Sequence, residues 1–198
     1  MTLECEVKYL DVDLGAMRAR LEAAGAAGSS ARFETNIVFD YPDRSLKKAG
    51  ILLRLRDFGG EAILTVKRPP DAETVSTLKI FEEIESGVED FETVRKALEV
   101  VGFHKAFTYE KVRECWKFMQ CTVCLDRLPF GDFVEIEGSK WPVLHCAEAL
   151  GLDEYTSSRK TYHALNLEHR RSKDLWPEES FVFSEDEKAA IAREIGKE

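Results

Sequence analysis

The chain has 198 residues, a net charge of −9 and a pI near 5.1, and this acidic balance argues against a general nucleic-acid or membrane-surface binder, because polyanions repel such a surface. With 44% hydrophobic and 33% charged residues it has the composition of a globular protein with a sizeable core. No apolar run approaches the ~18 residues a membrane span needs, and MTLECEVKYL has neither the basic stretch nor the apolar centre of a signal peptide, so a cytoplasmic location is expected.

Residues 2–9 open the chain as a strand. Residues 13–24 (DLGAMRARLEAA) predict a helix with Leu14, Met17 and Leu21 on one face, Asp13 as N-cap and Gly25 as stop. Strands follow at 31–40, 50–58 and 61–68, the last two joined by the hairpin signal Gly59-Gly60. Residues 69–78 (PPDAETVSTL) read as a mobile loop before a strand at 79–86. The helical plan recurs over 89–101 through Phe91, Val94, Leu98 and Val101, ending at Gly102. Strands at 106–118, 121–127 and 132–138 come next, the last two turning at Pro129-Phe130-Gly131. A short helix is expected at 142–150, ending at Gly151, and another at 154–170. After a loop containing Pro177, a peripheral tail helix opens on the capping-box pair Ser184 and Glu187.

Eight strands with two long helical interruptions imply a meander closing on itself rather than a parallel sheet. The expected fold is therefore α+β: an eight-stranded antiparallel closed β-barrel with helices packed outside. The barrel domain should span 1–170, with 171–198 as a C-terminal extension. Among the five cysteines, Cys121 and Cys124 form a C-x-x-C, but on a strand positions three apart point to opposite faces. No second pair exists and His145, His163 and His169 lack finger spacing, so ordinary reduced thiols are expected.

The strands alternate, and one face is densely ionic. Glu4, Glu6 and Lys8 share a side of the first strand; Arg54, Arg56 and Lys67 follow on the next hairpin; Glu83 and Glu85, Lys111 and Arg113, Asp126, and Glu135 and Glu137 continue the series. A half-buried sheet with an ionic solvent face is the bland explanation. Against it, the charges segregate by sign along each strand, and the helices at 13–24 and 89–101 can cover an apolar outer face. The ionic face then lines the lumen. A dry barrel could not hold thirteen ionised groups, so the lumen should be wet and built for an ionic ligand. Arginine and lysine suit phosphate oxygens, and hard carboxylates suit Mg²⁺ or Mn²⁺, which in turn bridge phosphates.

The E-x-E-x-K of Glu4, Glu6 and Lys8 resembles the signature of the CYTH superfamily, the triphosphate tunnel metalloenzymes. The likeness continues in order through FDYPDRSLKKAGILLRLR, ILTVKRP, EEIE, YEKVRECW, LDRLPFGDFVEIEG and RKTYHALN, over roughly residues 1–165. That family includes class IV adenylyl cyclases, thiamine triphosphatases, inorganic triphosphatases and fungal-type RNA triphosphatases. The resemblance implies an eight-stranded tunnel in which Lys8, Arg54, Arg56, Lys67, Lys111 and Arg113 grip a triphosphate, with Lys160 as a weaker match at the mouth. It implies Mg²⁺ or Mn²⁺ on Glu4, Glu6, Glu135 and Glu137, with Glu83, Glu85 and Asp126 close behind, and Glu4, Glu6 and Lys8 as the catalytic set.

The expected function is a metal-dependent triphosphatase releasing orthophosphate from an inorganic, nucleoside or thiamine triphosphate. A class IV adenylyl cyclase shares almost every residue, but it also needs a base pocket that the sequence does not display. A third reading is a non-catalytic polyphosphate or nucleotide sensor, which could dispense with the carboxylates present here. The expected partner is a small triphosphate substrate, without nucleic acid or membrane, and the protein would act as a monomer or homodimer.

Overall fold

The computed structural model describes residues 2–70 and 79–196, with side chains from Cys5 onward. Most of the expected loop at 69–78 lies outside the described residues. The elements in order are β1 (Thr2–Leu10), α1 (Leu14–Ala23), β2 (Ala27–Gly28), β3 (Arg32–Asp40), α2 (Ser45–Lys48), β4 (Leu52–Asp57), β5 (Ala62–Arg68), β6 (Lys79–Val88) and α3 (Phe91–Val100). They continue with β7 (His104–Phe118), β8 (Cys121–Leu128), β9 (Gly131–Gly138), α4 (Lys140–Ala149), β10 (Ser157–Ser158), α5 (Tyr162–Ser172) and α6 (Glu185–Ile195).

Pairing runs β1-β6-β5-β4-β3-β7-β8-β9 and returns from β9 to β1, an eight-stranded antiparallel barrel with no open edge in its ring. All eight expected strands are present. The two-residue strands β2 and β10 add to β7 and β1 and carry no periodicity that a sequence could show.

The barrel is apolar outside and ionic inside. Cys5, Val7 and Tyr9 of β1, Val123 and Leu125 of β8, and Val134 and Ile136 of β9 point outward and pack under Met17 and Leu21 of α1 and Val143 of α4. On another side Leu53 and Leu55 of β4 meet Phe91, Val94 and Leu98 of α3. Asp13 caps α1 through Ala16, as its N-terminal pattern predicts, and Asp90 caps α3 through Thr93.

Two C-terminal expectations need correction. The helix expected at 154–170 is α5 alone: residues 157–158 are drawn into pairing with Lys8 and Tyr9, and Thr161 then caps the helix. The tail helix is capped as expected, with both halves of the Ser184–Glu187 box formed, yet it is no peripheral appendage. Ile191 and Phe183 cover Val112 on the outer face of β7, making α6 a further cover beside α1, α3 and α4. No helix among the described residues is long and apolar enough to cross a membrane.

Candidate functional site

Strand alternation sends Glu6 and Lys8, Arg54 and Arg56, Lys67, Glu83 and Glu85, Lys111 and Arg113, and Glu135 and Glu137 onto a cavity of about 440 Å³ inside the barrel. Their charges interlock. The Lys8 ammonium lies 2.8 Å from Glu6 and 2.5 Å from Glu135. Arg113 forks onto Asp126 through bonds of 2.7 and 2.6 Å and also reaches Glu135 at 2.5 Å. Arg54 donates to the Tyr109 hydroxyl and to Thr65, each at 3.1 Å, while its guanidinium lies 3.5 Å from Glu85. Lys67 pairs with Glu83 at 3.0 Å.

These pairings fix the charge states. Burial pushes the Glu34 carboxyl upward, but Lys111, Arg113, Arg56 and Arg54 hold it down at about 2. Burial likewise opposes ionisation of Glu135, yet Lys8 and Arg113 hold it well below the carboxylate range. Lys8 is raised despite its burial, because Glu135 and Glu6 flank it. Glu34, Glu135 and Lys8 are thus held as full charges at neutral pH, and a stronger anion could replace a lining carboxylate at a cation.

Not every expected residue reaches the cavity. The Glu4 side chain lies outside the described residues. Lys160 is exposed, its ammonium held by Glu168 at 2.6 Å, and the structure does not bring it to the cavity. Asp126 is fully buried and accepts from Arg113, Lys111 and the Tyr162 hydroxyl, so it sits behind the lining as an anchor for two cations. Cys121 and Cys124 are both free thiols on opposite faces; Cys124 has Cys115 across the strand pair as its sulfur neighbour at 2.7 Å.

Other residues in or behind the lining were missed. Glu34 and Asn36 share the inward face of β3; Asn36 is fully buried, with neither carboxamide atom hydrogen-bonded. Lys79 continues the Glu83–Glu85 face and bonds Glu6 at 3.2 Å. Period-two alternation could have found all three. Tyr162 carries no such signal, because α5 brings it in from a distant stretch of chain.

The carboxylates fit a hard divalent cation. Glu6, Glu135 and Glu137 each offer an oxygen, and the three lie within 4.8 Å of one another. This is an oxygen-only donor set of the kind Mg²⁺ and Mn²⁺ take, beside cations suited to phosphate.

Residues 2–140 match the CYTH domain family. The chain belongs to the CYTH family. Its barrel is that family's triphosphate tunnel, and the family's enzymes act on small triphosphates with the help of a metal. A Methanocaldococcus jannaschii protein bearing a provisional adenylate cyclase name is 30% identical over 138 residues, 69% of this chain and 77% of that protein. The structure of the PH1012 protein of Pyrococcus horikoshii is 26% identical with a TM-score of 0.65, covering 80% of this chain and 96% of that one. A Hippeastrum protein, described as a provisional adenylyl cyclase with a dominant triphosphatase activity, shares the fold at a TM-score of 0.62 and 20% identity, covering 89% and 98% of the two chains.

Proposed function

We propose that this CYTH protein is a divalent-metal-dependent triphosphatase that releases orthophosphate. The observation that carries the reading is the presence, in one cavity, of the Glu6–Glu135–Glu137 carboxylates and the Arg54–Lys111–Arg113 cations. Arg54, Lys111 and Arg113 bind the phosphate oxygens, with Lys111 and Arg113 still anchored from behind by Asp126. Lys8, held between Glu6 and Glu135, keeps those two like charges together. Glu6, Glu135 and Glu137 would hold Mg²⁺ or Mn²⁺, which when bound neutralises triphosphate charge and lowers the pKa of water. A carboxylate of Glu83 or Glu85 on the adjoining wall orients the water that attacks the terminal phosphorus. Preorganised charge then supplies most of the acceleration, as in phosphoryl transfer generally.

One observation favours a second reading, the class IV adenylyl cyclase: part of the cavity wall is apolar, giving a base somewhere to sit. The M. jannaschii relative's name points the same way. Product analysis separates the two. ATP, thiamine triphosphate and inorganic triphosphate are each offered with Mg²⁺ and with Mn²⁺. Orthophosphate without cyclic AMP is the expected result. Cyclic AMP with matching pyrophosphate from ATP would replace the hydrolase by the cyclase.

A further inference from the structure

The cavity does not end with its charges. Next to Arg54 and Tyr109 its wall turns apolar, formed by Val38, Ile51, Ala106, Phe107 and Phe181, with the His163 ring beside them. Phe107 is half-buried and stacks on His163 with centroids 4.6 Å apart, while Phe181 stacks on Tyr109 at 5.1 Å.

Phe181 lies outside residues 2–140, which match the CYTH domain, and beyond the motifs that resemble the family up to about residue 165. It belongs to a strap, residues 179–183, laid along β7. The Phe181 amide donates to the Thr108 carbonyl at 3.1 Å, and its own carbonyl accepts from the Glu110 amide at 3.0 Å. The Phe183 amide donates to the Glu110 carboxylate at 3.0 Å. At the other end Glu179 accepts from Arg44, and from Lys47 at 2.5 Å, and its carboxylate lies 3.1 Å from the His163 ring nitrogen. The strap is therefore fixed at both ends, and Phe181, buried between Tyr109 and Phe130, backs the apolar wall of the cavity.

An apolar wall beside a phosphate grip does nothing for an inorganic polyphosphate, which has no apolar surface and is poorly solvated against one. A planar ring joined to the triphosphate would gain contact there, and a cavity of about 440 Å³ is within the range that encloses small organic ligands. We propose that Phe107 and the strap residue Phe181 form a ring pocket that makes this protein selective for nucleoside triphosphates over inorganic triphosphate. The inference rests on the triphosphate reading above and is independent of which phosphorus reacts.

The test compares dissociation constants, with Mg²⁺, for ATP and for inorganic triphosphate, each methylene-bridged at both phosphoanhydride positions so that neither hydrolysis nor cyclisation proceeds. The wild type should bind the nucleotide analogue about tenfold more tightly, as expected for base–aromatic stacking. Phe181→Leu and Phe107→Leu keep apolar volume and remove the ring, and each should narrow that gap by loosening the nucleotide analogue alone. Equal affinities in the wild type would overturn the pocket, as would leucine variants that loosen both analogues alike, the mark of a packing role. If the gap behaves as expected while ATP yields cyclic AMP, the hydrolase reading fails and the pocket stands. If ATP yields orthophosphate but the gap is absent, the reverse holds.

Discussion

The ionic and aromatic parts of the cavity are made differently. The ionic part is supplied by alternate residues of consecutive strands, and a counter-charge often comes from the neighbouring strand, as Lys67 finds Glu83 and Arg113 finds Asp126. The aromatic part is assembled from Val38 and Phe107 on adjacent strands, His163 at the start of α5, and Phe181 on a strap near the end of the chain. Charge at the first is fixed by sheet register, so a substitution there should strike chemistry and local stability together. The second depends on how a late segment docks, so changes there should strike selectivity first.

The sharpest way to break this contrast is Glu135→Gln. That carboxylate contacts both Lys8 and Arg113 and belongs to the candidate metal set. Turnover of every triphosphate should fall by about 10²–10³, the scale of losing one preorganised charge in an active site. Steady-state kinetics beside circular dichroism would check it; activity within a few-fold of wild type would remove Glu135 from the chemistry.

Acid should next expose the ionic network. Glu34 titrates at about 2 in the fold against an ordinary 4.5, so its contribution is complete above about pH 4.5 and disappears as pH falls through about 2. A shift of that size corresponds to about 3 kcal/mol, and Glu6 and Glu135 are lowered in the same direction. Denaturant midpoints should hold steady from neutrality to about pH 5 and drop steeply below it. Glu34→Gln should flatten that drop, and an unchanged acid limb would mean Glu34 carries no such load.

Arg54→Ala sharpens the comparison from the phosphate side. Losing charge-assisted hydrogen bonds of about 2 kcal/mol should weaken triphosphate binding about 30-fold, whether or not the ligand carries a base. Lys160→Ala, by contrast, removes an exposed ammonium already held by Glu168 and should leave the dissociation constant unchanged. Calorimetric titration of both variants reads the difference directly.

How far each part could be read in the sequence follows from how it is built. Glu6, Arg54, Lys111 and Glu135 were legible because a strand's period of two puts them on one face whatever the tertiary details. The same rule reached Glu34 and Lys79, had it been pressed along β3 and β6. It placed Asp126 on the inner face correctly but could not show that Arg113 and Tyr162 would bury it behind the lining. Nothing periodic announces that Tyr162 enters the barrel or that Phe181 lies beside Tyr109. Those are meetings of residues more than 30 positions apart, decided by packing. Within residues 171–198 the capped helix was legible but the strap was not: its pattern FVF gains meaning only once β7 lies beneath it.

The smallest effect tests whether the strap depends on the helix that follows it. Ser184 caps α6 by accepting from the Glu187 amide, while Glu187 bonds back to the Ser184 amide at 2.8 Å. Ser184→Ala should cost about 1 kcal/mol, the usual value of an N-cap side chain, read as a lower denaturant midpoint with an unchanged slope. Phe183, immediately before the cap, packs with Ile191 over Val112, whereas Phe181 is fixed separately by its two backbone bonds to β7. A loosened α6 should therefore leave both phosphate and nucleotide binding as they were. If nucleotide affinity falls while inorganic triphosphate affinity holds, the helix and the strap form one unit, and the aromatic wall is held from the helix rather than from the sheet.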